Sequence, residues 1–470
     1  MTTDLPTTTD PVVPAWLAGE LDTVPDYDGF AGADELVSGL RAIAERHPER
    51  TRLHRVGSSR QGDPLISLIV EADREDAPEA LVFGLPHPNE PIGGLTALHL
   101  AERLAADAGL RRRLDHRWQI IACIDPDGLR LNEGWLKGPF TREHYARHFY
   151  RPAGHDQVEW TYPLDHGEAY FDTPIPETQA LMRLIDEHRP DLVCSLHNSE
   201  LGGVYYYLSR PEPALHPVLQ AVPERLGLVL DRGEPESPEI VRLDDGIYQA
   251  NSIKDGIEWA RRHGRTWHHD AGDSTASYAG RYGALTLISE LPYWTDPSIA
   301  DTSAAEIGYA EALRRRAEGL SELAELMRRC LDATEGHQVA PDSPLWRASR
   351  AFAVSMADAA AGARVRAEEA ENDRPATVAE VSSLAAGVHQ FRLRFAGMLR
   401  RALAGELALG NVRRPVREAH DRLAARYEQW VAEDAAALTY PTLEIRKLVA
   451  TQYAATIATA AQLAGSLDRA

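Results

Sequence analysis

Cysteine is nearly absent, and the three present, Cys123, Cys194 and Cys330, cannot all pair with one another. A disulfide framework is therefore excluded, and a reducing, cytoplasmic setting is expected. Cys123 and Cys194 sit inside apolar runs, as small hydrophobes do. Lysine is just as scarce. Lys137, Lys254 and Lys447 are the whole set, so all but three of the 50 basic residues are arginines, and any single arginine says little. Positive charge is also outweighed, with 71 acidic residues and a formal net charge of −21. Phosphate neutralisation needs a basic face, so a nucleic-acid partner is not expected. No apolar run approaches the roughly 18 residues of a membrane span, so no membrane partner is expected either. The opening Met1-Thr-Thr-Asp-Leu-Pro6 has no basic region and no following apolar core, so no secretory signal is expected. A chain of 470 residues, 44% apolar, has room for two or three domains.

Residues 1–32 carry Pro6, Pro11, Pro14 and Pro25 without a sustained period, which predicts a loosely ordered N-terminal arm. Over 33–300, short apolar runs alternate with amphipathic stretches. Strands are expected at 52–56, 65–70, 80–85, 119–124, 192–196 and 284–288. Helices are expected at 35–47, 95–104 and 176–188. Near-continuously apolar strands alternating with helices predict an α/β fold whose sheet is covered on both faces. Over 301–470 the strand signals fade and an all-α helical domain is expected. Thr377-Val-Ala-Glu380 is a capping box. It opens a stripe of Val381, Leu384, Val388, Phe391, Phe395, Met398 and Ala402. Such stripes read as the core of a packed bundle, which leaves oligomerisation through these helices possible.

Four segments end strands with polar residues that an apolar core does not choose. The first, Leu85-Pro-His87-Pro-Asn89-Glu90-Pro91, sets an imidazole and a carboxylate three residues apart on a strand-to-helix turn, where they can converge on one cation. The second is Leu192-Val-Cys-Ser-Leu-His197-Asn-Ser199, a histidine at a strand C-terminus, where α/β sheets place their ligand sites. Two ligands close in sequence and a third distant, forming a His₂Glu set with an open position, are one standard arrangement of catalytic zinc. The third, Ala284-Leu-Thr-Leu-Ile-Ser-Glu290, ends an apolar run on a carboxylate suited to taking and returning a proton. A strand-end glutamate paired to an arginine is the plain alternative. The fourth, Asp125-Pro-Asp-Gly128, is fully accounted for as a turn.

In this order the segments resemble the carboxypeptidase A-like zinc metallocarboxypeptidases, whose pattern runs His-x-x-Glu, Asn-Pro-Asp-Gly, strand-end His, strand-end Glu. The helix start Pro176-Glu-Thr-Gln-Ala180 and the run Val204-Tyr-Tyr-Tyr-Leu208 are similar too. The resemblance spans about residues 33–296. It implies a three-layer α/β/α sandwich around a mixed central sheet, one zinc ion held by His87, Glu90 and His197, and Glu290 as the catalytic glutamate. It also implies a peptide or small amide substrate with a free carboxylate.

The sequence departs from the family in two places. The family's Asp-x-Asn-Arg, which holds the substrate's terminal carboxylate, is missing, and His148-Phe-Tyr-Arg151-Pro152 is the nearest equivalent. Arg151 is thus the expected carboxylate clamp, with Arg130, Asn132 and Arg142 in range to contact substrate. Trp267-His-His-Asp270 stands where a mobile tyrosine is expected; its histidines read as a solvated loop, an acid or an auxiliary metal site. The expected function is a zinc metallocarboxypeptidase. A zinc deacylase acting on N-acyl amino acids or small amides is an alternative, as is a non-catalytic binding or scaffold protein on a relic fold.

Overall fold

The apolar strands are buried because helices cover them from both sides. The computed structural model describes residues 13–250, 252–265, 271–437 and 440–469. Its main sheet has nine strands: β1 (Thr51–Ser58), β2 (Pro64–Val70), β3 (Glu79–Gly84), β4 (Arg117–Ile121), β5 (Leu192–Gly202), β6 (Tyr205–Leu208), β7 (Arg242–Asp244), β8 (Ile247–Gln249) and β9 (Leu285–Thr295). They lie in the order β1-β2-β4-β3-β5-β9-β6-β8-β7. The central β4, β3, β5 and β9 run parallel, while β1 and β2 join antiparallel at one side and β6 runs antiparallel to β9. The sheet is mixed, as expected.

Alternate side chains along the central strands enter different cores. Ala80, Val82, Cys194 and Leu196 pack with α2 (Ala33–Arg46) and α3 (Ile92–Ala106), whereas Leu81, Phe83 and Val193 pack with α4 (Pro176–His188). All three cysteines are buried and free.

The expected loose arm differs from what the fold contains. Residues 1–12 lie outside the described residues. From there on the segment is packed, because α1 (Ala15–Leu21) buries Leu17 and Leu21, and Val24 and Phe30 follow it into the core. The prolines mask a single i, i+4 apolar pair that is enough to seat one short helix.

The C-terminal part is helical: α5 (Tyr309–Thr334), α6 (Pro344–Glu368), α7 (Val378–Ala408), α8 (Arg414–Ala437) and α9 (Ile445–Leu463). The capping box forms as read, with Thr377 and Glu380 each bonding the other's backbone N–H. However, the division at 300/301 does not separate two cores. One apolar cluster runs from Val82 through Leu196 to Leu320, Met398 and Val449. Helix α9 is buried along its length from Leu448 to Ala461, and it packs against α3 and β9. A helix apolar on every side must be covered on every side. Helices α1 and α3 and strand β9 supply much of that cover, so α9 completes the helical layer over the sheet. The apolar stripes are thus used within the chain, and oligomerisation through them gains no support. Among the described residues no helix is long and apolar enough to cross a membrane.

Candidate functional site

Two glycines bring the first pair of candidate ligands to the third. A Cβ on Gly84, at the end of β3, would stand 2.6 Å from the backbone of Gly93. One on Gly93 would stand 2.8 Å from Cβ of Leu196. Their absence lets the start of α3 lie directly against the ends of β3 and β5. The loop between β3 and α3 then holds His87 and Glu90 beside His197 in β5. On the neighbouring parallel strand β9, Glu290 is the register partner of His197.

His87, Glu90, His197 and Glu290 are all buried. Nitrogen atoms of both histidines and a Glu90 oxygen lie within 4.8 Å of one another. Glu90 Oε2 is 3.1 Å from His197 Nδ1, and Glu290 Oε1 is 3.7 Å from the same nitrogen. His87 Nδ1 and Glu90 Oε2 are buried without a hydrogen-bond partner. Two orphaned donor atoms facing a third, in a His₂Glu set, fit a zinc ion. Burial, with help from Arg151 and His197, holds the His87 imidazole well below its usual pKa, so it is neutral as a ligand must be. Burial alone would also lower His197, but Glu159, Glu90 and Glu290 outweigh it and hold that ring well above its usual range. Burial raises Glu290, against the pull of His197. A carboxylate of raised proton affinity is the type that proton transfer needs.

Outer contacts fix these side chains. Ser195 Oγ lies 2.9 Å from His197 Nε2, and Glu159, held by the backbone and hydroxyl of Thr275, lies 3.7 Å from the same atom. Paired this way through Nε2, His197 leaves Nδ1 facing Glu90 and Glu290. Between His87 and Glu90, Asn89 donates to Glu200 at 2.8 Å, and Arg394 and Gln390 of α7 donate to Glu200 at 2.5 and 2.7 Å. Tyr293 bridges the main-chain oxygen of Asn89 and the side chain of Asn198. Gln452 of α9 donates to the main-chain oxygens of His197 and Ser289. Sequence reasoning missed Glu159, Glu200, Arg394 and Gln452. None ends a strand or belongs to a local pattern.

The site opens into a cavity of about 480 Å³. One wall is helical and includes Phe352 and Met356 of α6 with Phe391 and Phe395 of α7. The apolar stripe of α7 is therefore partly bundle core and partly cavity wall. Of the expected substrate contacts, Arg151 lines the cavity, with Nη1 3.0 Å from Glu90 Oε1. The other three do not line it. Arg130 is spent on the surface with Asp34 and Asp63, each at 2.8 Å. Arg142 pairs with Asp434 of α8. Asn132 is fully buried, and its amide bonds the backbone N–H and C=O of Tyr150. It shapes the loop that carries Arg151. The stretch Trp267-His268-His269-Asp270 lies outside the described residues.

Residues 36–264 match the family model described as zinc carboxypeptidase, a span that includes His87, Glu90 and His197 and stops short of Glu290. No curated protein matches the chain. Among similar solved structures is carboxypeptidase A from Helicoverpa armigera, at 17% identity and a TM-score of 0.38. It covers 60% of this chain and 70% of its own. A metallo-carboxypeptidase from Burkholderia cenocepacia matches at 18% identity and a TM-score of 0.34, covering 56% and 60%. Bovine thrombin-activatable fibrinolysis inhibitor, in complex with tick carboxypeptidase inhibitor, matches at 15% and 0.35, covering 56% and 86%.

Proposed function

We propose, on the match of residues 36–264 to the zinc carboxypeptidase family, that the chain is a metallopeptidase that releases the C-terminal residue of short peptides. The observation that carries the reading is the meeting of His87, Glu90, His197 and Glu290 in one cavity, with two donor atoms left unbonded. His87, Glu90 and His197 hold zinc, which when bound supplies Lewis acidity and lowers the pKa of water. Glu290 takes the proton of the attacking water and returns it to the leaving amine. Arg151 receives the free carboxylate of the substrate through its guanidinium fork. Ser195 and Glu159 hold the His197 ring in one orientation.

The helical wall favours small substrates. A cavity of about 480 Å³ lies within the range of roughly 300–1,000 Å³ that encloses ligands of drug size. That volume suits a di- or tripeptide, and an N-acyl amino acid equally well, so deacylation is the second reading. The test is hydrolysis by the zinc-loaded protein of short peptides with free and amidated C-termini, beside an N-acyl amino acid panel. Release of the last residue from free-acid peptides alone supports the first reading. Cleavage of N-acyl amino acids alone replaces it with the second.

A further inference from the structure

Nearly every charged side chain facing the cavity has a partner within the protein. Asp231 accepts from the backbone N–H groups of Gly203 and Gly233. Glu234 is held by Arg366 and by the Tyr309 hydroxyl. Glu236 takes the hydroxyls of Tyr205 and Tyr207, and Asp296 those of Ser298 and Ser382. Arg394 is bound to Glu200, and Arg151 to Glu90.

Arg316 of α5 is the exception. It lines the cavity, yet among the described residues no hydrogen bond or ion pair engages its guanidinium. The side chain crosses α7 at Gly387, where a Cβ would stand 3.3 Å from Nη1. Glycine is disfavoured inside a helix. Here its missing side chain leaves the passage by which Arg316 reaches the cavity. Phe391 lies beyond, its ring centroid 6.0 Å from the guanidinium carbon. The carboxylate whose charge acts on Arg316, that of Glu234, is already committed to Arg366 and Tyr309. A partly desolvated cation without a counter-charge is unfavourable, and a carboxylate brought by a ligand relieves it. The planar fork of donors on arginine matches that group.

We propose that Arg316 receives an anionic group of the substrate, so that the enzyme selects short peptides or N-acyl amino acids bearing an Asp or Glu side chain. The proposal rests on the hydrolytic reading above and assigns the helical region a part in specificity. That part lies outside the segment matched to the peptidase family.

The test compares kcat/KM of the zinc-loaded protein on substrate pairs that differ only by Glu against Gln. The wild type prefers the Glu member. Arg316→Gln loses about 10- to 100-fold on the Glu member, the effect of one charge-assisted contact, and is unchanged on the Gln member. Arg316→Lys keeps part of the preference. Equal losses on both members, or no loss on either, overturn the proposal. Unfolding temperatures of the variants equal to the wild type show that the fold is kept. Should no substrate be cleaved, the hydrolytic reading fails, and calorimetric titration of the zinc-loaded protein with glutarate still decides the anion site. Binding present in the wild type and lost in Arg316→Gln supports it. Binding unchanged by the substitution, or absent in both, overturns it.

Discussion

The side-chain amide of Gln452, in the last helix, donates to the main-chain oxygen of His197 at 2.9 Å and to that of Ser289 at 3.3 Å. Those oxygens belong to the two neighbouring strands that carry His197 and Glu290. The C-terminal helix is thus bonded to the backbone of the site as well as packed beneath it.

Replacing Gln452 with Leu keeps the volume but removes both bonds inside the core. A loss of about 1–3 kcal/mol in stability is expected, together with weaker zinc retention. Urea unfolding and zinc competition titration measure the two effects. A variant that unfolds and holds zinc like the wild type removes the coupling between α9 and the site.

Metal content follows the ligand set. The wild type should take up one zinc per chain, and His87→Ala and His197→Ala should retain little after dialysis against a weak chelator. Unchanged stoichiometry in either variant rejects the assignment.

Under the proposed function, Arg151, which lines the cavity, meets the substrate carboxylate. On free-acid substrates Arg151→Ala should lower kcat/KM by about 10- to 100-fold, as loss of a charge-assisted contact does. On amidated substrates the same change should cost much less. Equal losses on the two series mean that Arg151 acts on another part of the substrate.

Stability should fall with acid partly through His99. Burial and the nearby Arg103 lower its pKa from 6.5 to about 4, so the folded protein holds the ring neutral. The unfolded chain binds the proton first. The contribution is therefore whole above about pH 6.5, is lost as pH falls towards about 4, and changes no further below that. The full loss amounts to about 3 kcal/mol. His99→Gln should flatten this part of the pH dependence in urea unfolding between pH 7 and pH 4.5. An unchanged slope places the acid sensitivity elsewhere.

The meeting of His87, Glu90, His197 and Glu290 in one cavity was legible because its signals are local. His87, His197 and Glu290 each end an apolar run that has no packing use for a charge, and Glu90 follows His87 at ligand spacing. The arginines were not legible. Arg130, Arg142 and Arg151 look alike along the chain, and only the fold gives the first two to Asp34 and Asp434 and the third to Glu90. The nine-stranded sheet was mostly readable from apolar runs, but the short β7 and β8 carry too few residues for a period. The role of α9 was hidden for a different reason. An apolar stripe says that a face is buried, not what buries it. Nothing near Gln452 in the chain points to a strand end more than 250 residues away.

Release of the C-terminal residue from a short free-acid peptide, followed by mass spectrometry for the zinc-loaded wild type and for Glu290→Gln, is the most direct test of peptidase action at this site. Steady release by the wild type is expected, with a fall of about 100-fold or more in Glu290→Gln at unchanged zinc content. Near-normal release by Glu290→Gln, or none by a wild type holding its zinc, contradicts it.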